Sequence, residues 1–210
     1  GGIGFTEKAL AIYIGDAAGS TAGAINIDFG TQVSGLRLTD SIDIRNTGWR
    51  HIAVTRDASN TVRLFLDGAL RQSGTCTINI DGTGTYGAQI GATSAAAQSN
   101  YFKGYISNVR VLKGTALYTA AFTPPVAPLT AVTNTSLLTL KEPRPLDSST
   151  NNFAVSTYYG SPRFVREFPS SPTLDYTITN NSGSAYFDST GDYISVPSTA
   201  VSSIGTGDFE

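Results

Sequence analysis

Few side chains in this chain could carry out bond-making chemistry. There is one histidine, His51, and one cysteine, Cys76, and the glutamates are Glu7, Glu142, Glu167 and Glu210. Hydrolysis of a glycoside by two carboxyl groups needs an acid and a nucleophile about 5 Å apart in the retaining case. On a strand, that means acids at alternating positions such as E-x-D-x-E, and no glutamate here has such neighbours. A Ser-His-Asp or Cys-His site would have to use His51, which lies in a strand-like stretch beside Trp49 and reads as packing. Cys76 has no intrachain disulfide partner and no CxxC metal pair, so it reads as a small, half-buried apolar side chain. The Gly-Thr-Gly at 82–84 opens no helix, so it is not a phosphate loop. "DGTGT" at 81–85 has too few acids for a metal cage. The chain is expected not to be an enzyme.

What remains is binding chemistry. Tyr86, Tyr101, Tyr105, Tyr158 and Tyr159 could stack on sugar rings or fill the sheet surface. Adjacent strand residues face opposite ways, so Tyr158 and Tyr159 cannot line one site together. Trp49 is a second kind of candidate, either a core or rim residue or a sugar platform. Trp49, Tyr101 and Tyr105 are the ligand-binding candidates.

The elements that must position these residues are strands. Charged residues make up only 14%, Gly, Ser, Thr and Asn are abundant, and the net charge is -2. That composition suits an extracellular-type β protein rich in turns. It offers no basic stripe for nucleic acid. No apolar run approaches 18 residues, so no membrane-inserted helix is expected. There is no Met, even at position 1, so the sequence is expected to be a processed or excised part of a longer protein.

Alternation marks "ALAIYIG" (9–15) and "AINIDFG" (24–30), placing Ile12, Ile14, Ile25, Ile27 and Phe29 toward a core, and "SGLRLTDSIDI" continues it. In "GWRHIAVTRDASNTVRLFLDG" (48–68), Ile52 and Val54 share one face of a strand. Asp57-Ala58-Ser59-Asn60 turn the chain, and Val62, Leu64 and Leu66 form the buried face of the return strand. Asp67-Gly68 supplies the next tight turn. In "NYFKGYISNVRVLKG" (100–114) the alternation slips between Ile106 and Val109, which predicts a β-bulge near Ser107-Asn108. Gly104 there leaves room for a large neighbour such as an aromatic ring. "ALYTAAFTPPVAP" (116–128) is predicted to leave the sheet, since Pro124, Pro125 and Pro128 cannot donate ladder bonds. A second set of strands then begins: "TSLLTL" (135–140), the turn "DSSTNN" (147–152), "FAVSTYYGSPRFV" (153–165) as strand, turn and strand, and "GSAYFDSTGDYISVPS" (183–198) as a hairpin.

Together these motifs resemble the laminin G-like members of the concanavalin A-like lectin/glucanase superfamily. "GWRHIAVTRD…VRLFLDG" is similar to that family's central hairpin and "YFKGYISNVRVLKGTALYTAAFTPP" to its closing strand and exit. "SLLTL…LDSSTNNFAV" and "GSAYFDSTGDYISVPS…GTGDFE" are similar to its opening segments. The style of the closing segment and connector resembles tandem repeats of phage virion or tail-associated and bacterial surface proteins.

The resemblance implies an all-β, two-sheet antiparallel jelly-roll sandwich in rotated order. Residues 1–128 match the later two-thirds of one repeat, 129–134 a Pro-rich linker, and 135–210 the first third of the next. Residues 135–140 and 184–196 are expected to fold back onto the sheets of 9–112, with one inner strand truncated. The resemblance further implies a possible calcium at Asp188 and Asp192 of "FDSTGDY" and no other cofactor. The family often has an Asp where this chain has Ser107, and the alternative role for both acids is to cap a turn. The implied function is a non-catalytic recognition or adhesion module of a virion or cell-surface protein. Its partners would be surface polysaccharide or glycoprotein and neighbouring repeats. A ligand-free spacer and an accessory domain of a polysaccharide-degrading enzyme are the alternatives.

Overall fold

The structure, a computed structural model, describes residues 9–15, 21–30, 35–80, 88–92, 100–155, 157–166, 169, 183–197 and 207–210. These residues form antiparallel strands and no helix. The chain divides into two compact units. The first comprises Gly1–Gly82, Lys113–Pro124 and Ser203–Glu210, and the second Thr83–Leu112 and Pro125–Ser202.

In the first unit, β1 (Ala9–Ile14), β2 (Ile25–Gly30) and β3 (Gly35–Thr39) form one sheet. A second sheet is formed by β4 (Ile52–Arg56), β5 (Thr61–Leu66) and β6 (Ala69–Thr75). Alternation builds the core between them: Ile25, Ile27, Phe29 and Leu38 from one sheet meet Val54, Val62, Leu64 and Leu66 from the other. Ile14 packs against this core, but Ile12, also expected there, is 49% exposed. It sits in the middle of β1, an edge strand paired only with β2. Cys76 is buried in the same core, and so is Phe209 from the far end of the chain.

The 48–68 hairpin forms where its turn residues place it. Asp57 Oδ1 accepts the N–H groups of Ser59 and Thr61, and Asn60 takes a φ of 60°. Asp67 and Gly68 both have positive φ (50° and 77°), as a two-residue type I′ turn requires. Only glycine fits at 68, because a Cβ there would meet the Phe122 carbonyl oxygen.

The outer face of this hairpin is covered as well. Phe65 is fully buried, its ring 5.4 Å from that of Phe122, and Thr55 Oγ1 donates to the Tyr118 carbonyl. Residues 116–122 therefore do not leave the sheet as the prolines suggested. They cross the back of the hairpin, and only the chain after them departs. Proline forbids ladder bonds, but it does not prevent the apolar residues before it from covering a face.

In the second unit, β7 (Ala88–Ile90), β8 (Lys103–Ile106) and β9 (Val109–Leu112) pair with strands from later in the chain. These are β10 (Thr135–Thr139), β11 (Thr157–Tyr159), β12 (Arg163–Val165), β13 (Ser184–Asp188) and β14 (Tyr193–Val196). The sheets run β10-β9, β11-β14-β7 and β12-β13-β8. Leu137, Leu140, Val155, Ala185, Phe187, Ile194 and Val196 form the core, with Phe102, Ile106, Val109 and Val111 against it.

The slip near Ser107-Asn108 is a break between two strands rather than a bulge within one. Asn108 takes a φ of 54°, and the chain passes from pairing with β13 to pairing with β10. The left-handed residue resets the alternation, so Ile106 and Val109 reach the same core despite opposite parity. A Cβ at Gly104 would lie 3.2 Å from the Phe102 ring, the expected aromatic neighbour. The turn at 147–152 is organised by buried Asp147, which accepts the N–H groups of Leu138, Ser149 and Phe153.

The two segments read as separate hairpins, 153–165 and 183–198, instead pair with each other. Thr157–Tyr159 lie opposite Tyr193 to Ser195, and Arg163–Val165 lie opposite Ser184 to Tyr186. Between these ladders the pair bends, so its halves belong to different sheets. Three residues (160–162) face six (187–192) across the bend. Asp192, 2% exposed, holds this corner: Oδ1 accepts Ser161 N–H at 2.6 Å and Oδ2 accepts Asp188 N–H at 3.2 Å. Gly160 (φ 69°) makes it possible, since a Cβ there would sit 2.3 Å from Asp192 Oδ1.

Candidate functional site

On the sheet β12-β13-β8, alternation separates two faces. Ala185, Phe187, Ile106 and Phe164 point into the core. The opposite face carries a row set by the register: Arg163 pairs with Tyr186, and Tyr186 pairs with Tyr105. Directly opposed residues on an antiparallel pair bring their side chains together, and the Tyr105 and Tyr186 rings lie 4.9 Å apart, tilted by 47°. Tyr105 is 46% exposed. Val165, two residues along β12, and Arg166 close the row into a depression lined by Tyr105, Arg163, Val165, Arg166 and Tyr186. Arg163 and Arg166 are exposed, and no described carboxylate pairs with either.

Two tilted tyrosines beside two guanidinium groups can stack on a flat apolar ring face and pair with an anion. Among the described residues that line the depression none is a carboxylate. Of the four glutamates, Glu142 pairs with Arg144 at 2.9 Å and Glu210 is half-buried. Glu7 and Glu167 lie outside the described residues.

Only Tyr105 among the ligand-binding candidates lines this depression. Tyr101 is half-buried ahead of β8, and Trp49 is half-buried in the other unit, before β4. His51, also just ahead of β4, sits edge-on to Phe122 at 5.6 Å. Tyr86 and the 81–85 loop lie outside the described residues, as do the side chains of Tyr158 and Tyr159. Sequence reasoning missed Tyr186, Arg163 and Arg166. Parity within each strand was visible, but the register that aligns residues 163, 186 and 105 was not.

At the proposed calcium acids, both oxygens of Asp192 already accept N–H groups, and Asp188 Oδ1 accepts Thr190 N–H at 2.6 Å. Asp188 pairs in register with Lys103 at the start of β8, while Ser107 lies just past the strand's other end, four residues on and about 13 Å away at roughly 3.3 Å per residue. Ser107 Oγ instead donates to the carbonyls of Gly183 and Leu140. Among the described residues no three His, Cys, Asp or Glu side chains cluster.

The antiparallel sheets and their apolar cores define an all-β, sandwich-type fold. A family model described as the concanavalin A-like lectin/glucanases superfamily, of the laminin G type, matches residues 5–120, more than half of the 210-residue chain. The chain belongs to this superfamily. Compared with curated proteins and with solved structures, it shows no significant match.

Proposed function

We propose that this chain is a non-catalytic recognition module that binds surface polysaccharide, with a preference for acidic sugars, through the outer face of β8, β12 and β13. The observation that carries the reading is the cross-strand row Arg163–Tyr186–Tyr105, with its rings 4.9 Å apart. The pair contributes to the sheet as any cross-strand aromatic pair does, and its outward ring faces also offer a surface on which a sugar ring can stack. The adjacent guanidinium groups suit sugar carboxylate or sulfate. Membership in a superfamily that includes lectins supports the same reading.

The partner is then an extracellular or cell-surface glycan, and the setting a virion or cell surface. One shallow site binds weakly, and repetition along a longer protein would supply avidity. The pairing of β7, β8 and β9 with strands from 135–196 supports reading 1–128 and 135–210 as parts of two neighbouring repeats.

The test is a glycan array carrying acidic and neutral polysaccharides, probed with the chain and with Tyr105→Ala/Tyr186→Ala. Binding to acidic glycans that the double variant loses is the expected result. Uniformly blank arrays would reject the reading in favour of a ligand-free spacer, and retention by the variant would reject this face as the binding site.

A further inference from the structure

The end of the chain occupies the first unit in the manner of an inserted strand. Phe209 N–H donates to the Arg56 carbonyl and Phe209 O accepts Arg56 N–H (3.0 and 3.1 Å), while Asp208 O accepts Gly114 N–H at 2.6 Å. Phe209 is thus bridged antiparallel to Arg56 on one side and Lys113 on the other. Its ring is 1% exposed, 5.5 Å from Phe29, with the Arg56 guanidinium over it at 5.1 Å. That guanidinium also donates to the Gly207 carbonyl.

Backbone pairing on both edges, a pocket for one ring and a clamp on the preceding carbonyl are the parts of a peptide site built by strand addition. Here they are satisfied by four residues, 207–210, from one end of the chain. Neither the ring pocket nor the two backbone edges requires that the strand be covalently continuous with 1–124.

We propose that the slot between Arg56 and Lys113 is an acceptor site for an extended Gly-Asp-Phe strand, filled here by the chain's own 207–210 and open to the same strand from a second copy. Backbone pairing supplies affinity, the phenyl ring supplies specificity, and Arg56 fixes the register through Gly207. The covalent tether favours the chain's own strand through high effective concentration. Exchange between copies therefore emerges when that strand is weakened.

The test uses the full-length variant Phe209→Ala and the synthetic peptide Gly-Thr-Gly-Asp-Phe-Glu, which has the sequence of residues 205–210. The variant's melting temperature is expected to fall and to rise again in a dose-dependent, saturable way as peptide is added. If the variant is unfolded alone, the peptide is expected to restore its near-ultraviolet circular dichroism. The same peptide with Ala for Phe should bind weaker by roughly a hundredfold, and the intact chain should bind neither. A variant on which the peptide has no effect, or on which both peptides act alike, would overturn the proposal. Intact and variant chains titrating identically would overturn it too. The glycan reading is unaffected by either result, because its residues lie in the other unit.

Discussion

The guanidinium of Arg56 lies 5.1 Å from the centre of the Phe209 ring, and neither side chain is more than 1% exposed. A charge this deeply buried is costly unless it is fully bonded. Its Nη1 donates to Ile78 O at 2.8 Å, and Nε and Nη2 donate to Gly207 O at 3.3 and 3.2 Å. Burial pushes its pKa down, and Cys76 and Asp208 pull it partly back. Replacing Arg56 with Ala removes the donors to the Ile78 and Gly207 carbonyls and opens a cavity under Phe209. We expect a loss of about 3 kcal/mol in urea unfolding, and lysine at 56 should recover only part of it, because one ammonium cannot reach both carbonyls and the ring face.

Asp192 ties both turns of the bent pair through Ser161 and Asp188. Asp192→Ala should cost about 2 kcal/mol by stranding two backbone N–H groups, and Asp192→Asn less, since one acceptor oxygen remains. Gly160→Ala combines a positive φ with a 2.3 Å clash against Asp192 and should be at least as harmful. Thermal melts of the three variants test the ordering. If Asp192→Ala melts with the parent chain, Asp192 does not hold the corner.

Tyr13 donates to Asp28 Oδ2 at 3.1 Å, and Arg37 pairs with the same carboxylate. Burial first, and then the negative charge of Asp28, push the Tyr13 pKa up to about 12. In the unfolded chain a tyrosine loses its proton near 10. The folded state therefore binds this proton more tightly, so its stabilising effect is complete below about pH 10 and disappears as pH rises toward about 12. Ultraviolet titration should show a late-ionising component that Tyr13→Phe removes. Stability of that variant should fall less between pH 10 and 12 than in the parent.

Arg163 and Arg166 flank the tyrosine pair. If they recognise an acidic sugar, binding should weaken with added salt, because exposed charges are screened over about 10 Å at 0.1 M. Arg163→Gln/Arg166→Gln should lose about tenfold in affinity and most of the salt dependence while melting within a degree or two of the parent, as exposed substitutions usually do. Isothermal titration at two salt concentrations separates these effects. Salt dependence unchanged in the double variant would exclude the arginines.

Legibility in the sequence followed the range of the interaction. The 48–68 hairpin was readable because Asp57, Asn60, Asp67 and Gly68 act on their own neighbours. The strand break at Ser107-Asn108 was visible as a slip in parity, but not its form, because a bulge and a change of partner leave the same slip. The 153–165 and 183–198 segments each looked like a hairpin because each has a turn flanked by alternating residues. The turns are real, but they are the two sides of one corner, as the ladders between the segments and the bond from Ser161 to Asp192 show.

By itself the sequence determined the strand content, the antiparallel class, which residues of β2, β4 and β5 face inward, and the poverty of catalytic groups. Period-two alternation and turn chemistry are local properties and survive in one dimension. Tertiary structure alone decided that Phe209 fills a core begun by Phe29, that 116–122 covers the back of the hairpin, and that Arg163, Tyr186 and Tyr105 stand in one row. Each joins residues more than twenty positions apart, through register and packing that alternation leaves free.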